Sequence, residues 1–105
     1  MSNHITLEQW RDQALNAEHL ESAASMLEEC KTAVLAQKKS QQGDIPDSHA
    51  ERIVKASPQW HDYITKMVKA REAANLAKVE TKYLDMRLWE QRSAEARERA
   101  EMRLT

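Results

Sequence analysis

Along the first forty residues the apolar positions return every three or four places. They fall at Leu7, Trp10, Ala14, Ala17, Leu20, Ala24, Leu27 and Val34, with Lys31 interrupting the last interval. Residues three and four apart stack on one side of a 3.6-residue turn, so this spacing predicts an α-helix with one apolar face. Glu18, Glu21, Glu28 and Glu29 are expected on the opposite, wet face. Thr6-Leu7-Glu8-Gln9 marks the start, because the Thr6 hydroxyl and the Gln9 side chain can each satisfy a terminal amide, as in a capping box. Ile5 and Trp10 stand where a hydrophobic staple needs them. Helix propensity fades in KKSQQGD, where Gly43 suits a stop. The pattern predicts a helix over about 6–42.

The stretch GDIPD breaks the pattern, since Pro46 removes a donor and restricts its neighbour. The break is expected over 43–48. Ser48-His49-Ala50-Glu51 reads as a second capping box and predicts a short helix over about 49–56. Ser57 then serves as a cap with Pro58 at the first helical position.

From Pro58 to Leu104 neither glycine nor proline occurs. One helix over about 58–104 would be ~70 Å long, against ~11–12 residues for an ordinary helix. Trp60, Tyr63, Ile64, Met67, Val68, Ala74 and Ala77 mark the apolar face of its first half. Val79, Tyr83, Met86, Ser93, Ala100 and Leu104 mark the second, and steps of seven link Val79, Met86, Ser93 and Ala100 in a heptad-like trace. The stripe thins after Trp89. A helix this long does not stand alone in water, so a second helix must cover its apolar face. The fold class expected is all-α: one domain, residues 1–105, forming a long antiparallel helical hairpin of coiled-coil type. A short helix lies in the connection, and the hairpin is expected to dimerise into a bundle. No internal repeat of fixed period is visible.

Composition supports the helices. Fifteen alanines, a single glycine, two prolines and no phenylalanine leave few places for tight turns. The net charge of -1 gives no global pull toward nucleic acid or membrane. Charge is unevenly placed, however. Residues 1–56 carry six basic and nine acidic side chains, and residues 57–105 carry ten and eight, so the two halves can attract one another in a hairpin or across a dimer. On the long helix Asp62–Lys66 and Glu95–Arg99 are favourable i,i+4 pairs, and Arg97–Glu101 is the reverse orientation. No apolar run approaches the ~20 residues of a membrane span. The N-terminal MSNHITLEQW lacks the basic and apolar blocks of a secretory signal. With one cysteine, no disulfide can form within the chain, and a reducing cytosol is the expected home.

Little in the chain suggests chemistry. His4, His19, His49 and His61 form no close helical pair and join Cys30 in no metal spacing, so neither metal nor cofactor is expected. Glu28 and Glu29 beside Cys30 disfavour a thiolate, and Cys30 is expected as a small buried hydrophobe. One glycine cannot build a phosphate loop. The expectation is a protein without enzyme activity.

The stretch from Ser57 to Leu104 resembles small helical proteins encoded by tailed phages and prophages. The match lies in Ala73-Ala74-Asn75, Val79, Tyr83, Met86, Trp89, Ser93 and the closing Arg99-Ala100-Glu101-Met102-Arg103. Such genes often lie near recombination or replication functions, so the resemblance implies an accessory role there. The expected function is binding and modulating a phage or host recombination or replication protein, as a homo-oligomer. Tyr83, Met86 and Trp89 are expected to anchor the partner and Arg92 to orient it, because aromatic and methionine side chains are frequent interface anchors. Two other readings stand beside this one. Arg87, Arg97, Arg99 and Arg103 could contact nucleic acid directly, or the acidic residues 8–29 could imitate phosphate charge in an inhibitor of a host nuclease or defence system.

Overall fold

The computed structural model describes residues 4–104. Three helices follow one another: α1 (Leu7–Ser40), α2 (Asp47–Lys55) and α3 (Pro58–Leu104). α1 and α3 lie antiparallel, and among the described residues there is no strand. The molecule is a rod of 86 × 21 × 18 Å.

The ends of the helices follow local chemistry. The capping box at α1 forms as expected: Gln9 N–H donates to Thr6 Oγ1 at 3.1 Å, and Thr6 N–H donates to Gln9 Oε1 at 2.9 Å. α1 stops at Ser40, and Gly43 turns the chain at φ +88°, a left-handed conformation that an L side chain adopts at a cost. The second helix differs from expectation. It starts at Asp47, ahead of Ser48, with Pro46 at the N-cap and no side-chain cap. Pro46 has an extended ψ of 144° and needs no N–H, while Asp47 places an acid in the first turn beside the positive helix end. Asp47 also pairs with Lys39 of α1 at 2.8 Å, tying α2 back across the turn. Ser57 caps α3, accepting from Trp60 N–H at 3.2 Å and donating to the Val54 carbonyl at 2.6 Å.

Four side chains set the hairpin register. Gln91 donates to the Ile5 carbonyl at 3.1 Å and accepts from Ile5 N–H at 3.0 Å, holding the start of the chain against α3. Gln13 Nε2 donates to the Ala77 carbonyl at 3.2 Å. Arg71 reaches Glu21 and Glu28, and Tyr63 Oη donates to the Leu27 carbonyl at 2.5 Å. At this register Ala17 lies level with Ala74 and Ala77. These alanines and Ala24 are buried, and small side chains let two helices approach closely. Larger groups fill the connected end, where Val54 and Trp60 are buried and Trp60 stacks on Tyr63 with centroids 5.8 Å apart.

The seam of α1 is the expected one from Trp10 to Val34, except that Leu7 is exposed. Glu21 and Glu28 are not on the far face. They border the seam and meet the basic side chains of α3, so the oppositely biased halves do attract across the hairpin. Cys30 is exposed, not buried, in a stretch of α1 from Glu28 to Ala33 that is exposed throughout. The expected ion pairs along α3, Asp62–Lys66, Glu95–Arg99 and Arg97–Glu101, are not among those of the described residues; a pair at i,i+4 forms instead in α2, Lys55–Glu51.

The largest correction concerns the second half of α3. The heptads that face α1 are Trp60, Met67, Ala74, Thr81 and Leu88, with Tyr63, Ala70, Ala77, Leu84 and Gln91. The expected trace through Val79, Met86, Ser93 and Ala100 runs two residues out of phase with the latter series, about 200° around the helix. It therefore looks away from α1. Val68 is likewise half exposed. Beyond Glu95, α3 runs past the start of α1, and residues 96–104 are exposed all round.

Candidate functional site

Because Ala77, Thr81, Leu84 and Leu88 take the seam, α3 turns a second apolar stripe outward. Leu76 is 67% exposed, Val79 63%, Tyr83 51% and Met86 60%. The steps of three and four between them place all four on one face. Glu72, Glu80, Glu90 and Arg97 are exposed along or beside that face, and Arg87 borders it. Arg87 Nη1 donates to Tyr83 Oη at 3.0 Å and its guanidinium lies 5.9 Å from the ring centroid, which fixes the tyrosine against its own helix.

Trp89 is 71% exposed and sits between this stripe and a groove on the flank of the hairpin. The groove encloses about 270 Å³ and is lined by Leu7, Trp10, Asp85, Leu88, Trp89 and Arg92. It continues along the hairpin past Ala14, Ala17, Glu18, Lys78, Thr81 and Lys82. A second cleft, of about 330 Å³, formed by Asp85, Met86, Trp89 and Glu90, joins groove to stripe. The indole Nε1 of Trp10 is buried and has no hydrogen-bond partner. A buried donor without an acceptor is costly.

The four residues expected at a partner site thus divide. Trp89 and Arg92 border the flank groove, whereas Tyr83 and Met86 belong to the outward stripe, and only Met86 meets Trp89, at the connecting cleft. The α1 side of the groove, Leu7 and Trp10, was assigned to the core by spacing alone. Leu7, in the first turn of α1, is exposed, and Trp10 is half-buried. Leu84 and Leu88 lie in the phase that faces α1, whereas Leu76 extends the outward stripe by one turn.

Of the residues considered for nucleic acid, Arg99 and Arg103 share a face, being four apart. At 100° per residue Arg97 lies about 160° and Arg87 about 120° from Arg99. Acids alternate with them, so α3 presents no continuous basic stripe.

One strongly polar cluster bridges the middle of the hairpin. Arg71 donates to Glu28 through Nε at 2.9 Å and Nη2 at 2.6 Å, and to Glu21 through Nη1 at 2.5 Å. Lys78 Nζ also reaches Glu21 at 2.9 Å. Hydrogen bonds from Lys78 and Arg71 hold the Glu21 carboxyl below the usual range, and those from Arg71 do the same for Glu28. These charges neutralise one another and span the two helices, which is the geometry of a clamp. Burial pushes the Tyr63 phenol up, consistent with its use as a donor to Leu27. Among the described residues no group of three or more His, Cys, Asp or Glu side chains is placed to hold a metal ion. Among the described residues no helix is long and apolar enough to cross a membrane.

No family model, curated protein or solved structure matches the chain.

Proposed function

We propose that this chain is a non-enzymatic accessory protein of phage origin, which binds a protein of DNA recombination or replication and modulates it. The hairpin supplies a stiff frame, and the flank groove between α1 and α3 takes an amphipathic helix of the partner. The observation that carries this reading is the exposed Trp89 at the edge of the flank groove. An apolar ridge entering the groove covers the Trp89 ring, and Arg92 takes a carboxylate on the same segment. Exposed tryptophan and arginine beside an apolar groove are the usual anchors of such contacts. The phage setting and the recombination or replication partner rest on the resemblance of residues 57–104. We further propose that the protein acts as a homodimer in the bacterial cytoplasm.

The test is purification of the tagged full chain from its bacterial host, with retained proteins identified by mass spectrometry. The wild-type chain should retain a recombination or replication protein. Trp89→Ala should lose it while keeping the same circular dichroism and sedimentation. If Trp89→Ala instead loses helicity, the side chain is a packing residue and the assignment fails. A gel shift on duplex and single-stranded DNA at two salt concentrations addresses direct binding; a salt-sensitive shift at micromolar protein would replace the protein-partner reading with a nucleic-acid one.

A further inference from the structure

We infer that the outward stripe of α3 is covered by α3 of a second copy, antiparallel, about a two-fold axis passing between Leu84 and Asp85. This names the geometry of the dimer proposed above and rests on that part of the reading, not on the partner groove.

Charge decides the direction and the register. The outward positions form two heptad series: 69, 76, 83, 90 and 97, and 72, 79, 86, 93 and 100. In a parallel pair each layer would meet itself, so Glu72, Glu90 and Arg97 would each face its own kind. Antiparallel pairing instead sets one series against the other. With the axis between Leu84 and Asp85, residues whose numbers sum to 169 face each other. Tyr83 then meets Met86 of the second copy, and Met86 its Tyr83, at the centre. Leu76 meets Ser93, and Val79 lies on the stem of Glu90. Glu72 meets Arg97, twice per dimer, and Glu80 lies alongside Arg87. Neither Glu72 nor Arg97 has an ion-pair partner within the described chain. Moving the axis by half a heptad, onto Thr81, stacks Leu76 on Met86 and Val79 on Tyr83. That register, however, sets Glu72 against Glu90, Glu80 against Glu80 and Lys82 against Lys82. Like charges directly opposite destabilise, and the first register has none of these clashes.

The area is sufficient. In the favoured register the contact runs from Thr65 to Leu104, about forty residues or ~60 Å of each helix. A strip ~10 Å wide over that length covers ~600 Å² per copy, or ~1,200 Å² in all, the lower bound for a stable interface. The same arrangement gives the end of α3 a surface to lie on. Residues 96–104, exposed in the single chain, run beside the 65–73 segment of the second copy.

The test has two parts, both on the full chain. Sedimentation equilibrium should show a dimer at micromolar concentration. Glu72→Arg and Arg97→Glu should each raise the dimer dissociation constant about tenfold or more, and the double variant should recover most of the loss. Secondly, a spin label at Arg99→Cys in a Cys30→Ala background should give a label-to-label distance of about 45 Å. The Thr81 register would give about 55 Å and a parallel pair below about 20 Å, and either result overturns the inference. A monomer at 100 micromolar overturns it as well. Partner retention lost in Trp89→Ala but kept in Glu72→Arg separates the groove from the dimer face, so either proposal can fail alone.

Discussion

At the centre of the hairpin Arg71 bridges two carboxylates of the facing helix, and the direction of their titration says when that contact dissolves. Glu21 and Glu28 both titrate below 4.5, their value in the absence of these partners. A group with a lowered folded value contributes its full stability above the unfolded value and loses it as pH falls through the folded one. The thermal midpoint should therefore hold steady down to about pH 5 and fall below about 4.5. In Arg71→Met the profile across that window should be flatter; equal slopes in the two proteins would show that other carboxylates govern acid unfolding. Cys30 supplies a second check at this scale. Its exposure predicts that a thiol reagent such as 5,5′-dithiobis(2-nitrobenzoate) titrates it fully in the native protein, without denaturant. Protection until unfolding would place it back in the core.

The starts of α1 and α3 are held by polar caps, and these are separable from the seam. Ser57 is the clearest case, since its hydroxyl accepts from Trp60 N–H and donates to the Val54 carbonyl, joining the end of α2 to the start of α3. Ser57→Ala should destabilise by about 1 kcal/mol in urea unfolding, with an unchanged m-value. A loss below a few tenths would mean that water replaces both bonds. The middle of the hairpin depends on small side chains. Buried Ala17, Ala24, Ala74 and Ala77 explain why a stripe that seems too weak for a core holds two long helices together. Close backbone approach supplies the dispersion contacts that larger side chains provide elsewhere.

Over the whole molecule, length is the quantity that discriminates. A single chain measures 86 Å along its axis with a Cα radius of gyration of 23.6 Å. Two chains paired about the proposed axis overlap over most of α3, so the mass doubles while the length grows only to about 110 Å. Small-angle scattering should show that pairing of doubled mass and modest elongation. A maximum dimension near twice the single rod would indicate end-to-end association. Hydrogen exchange adds to this: amides of residues 96–104 should be protected above the dimer dissociation constant and exchange freely below it.

Helix positions, the start of α1 and the antiparallel hairpin were all legible from local chemistry. Caps and breakers act within a turn of the chain, and a 47-residue helix with an apolar face demands a cover. The start of α2 was misplaced by two residues because a capping-box pattern at Ser48 competed with Pro46, which needs no side-chain cap. Phase is what the sequence left open. From Ala70 to Met86 α3 carries two apolar stripes nearly opposite one another, one led by Ala70, Ala74 and Ala77 and one by Leu76, Val79, Tyr83 and Met86, and periodicity weighs them equally. Only the meeting with α1 chose between them. The alanine stripe of α3 matches the alanines of α1, Arg71 reaches Glu21 and Glu28 in that phase alone, and Gln91 and Gln13 find backbone partners there. Local propensity therefore determined the elements of this protein, while the fit of one helix against another decided which face was left for a partner.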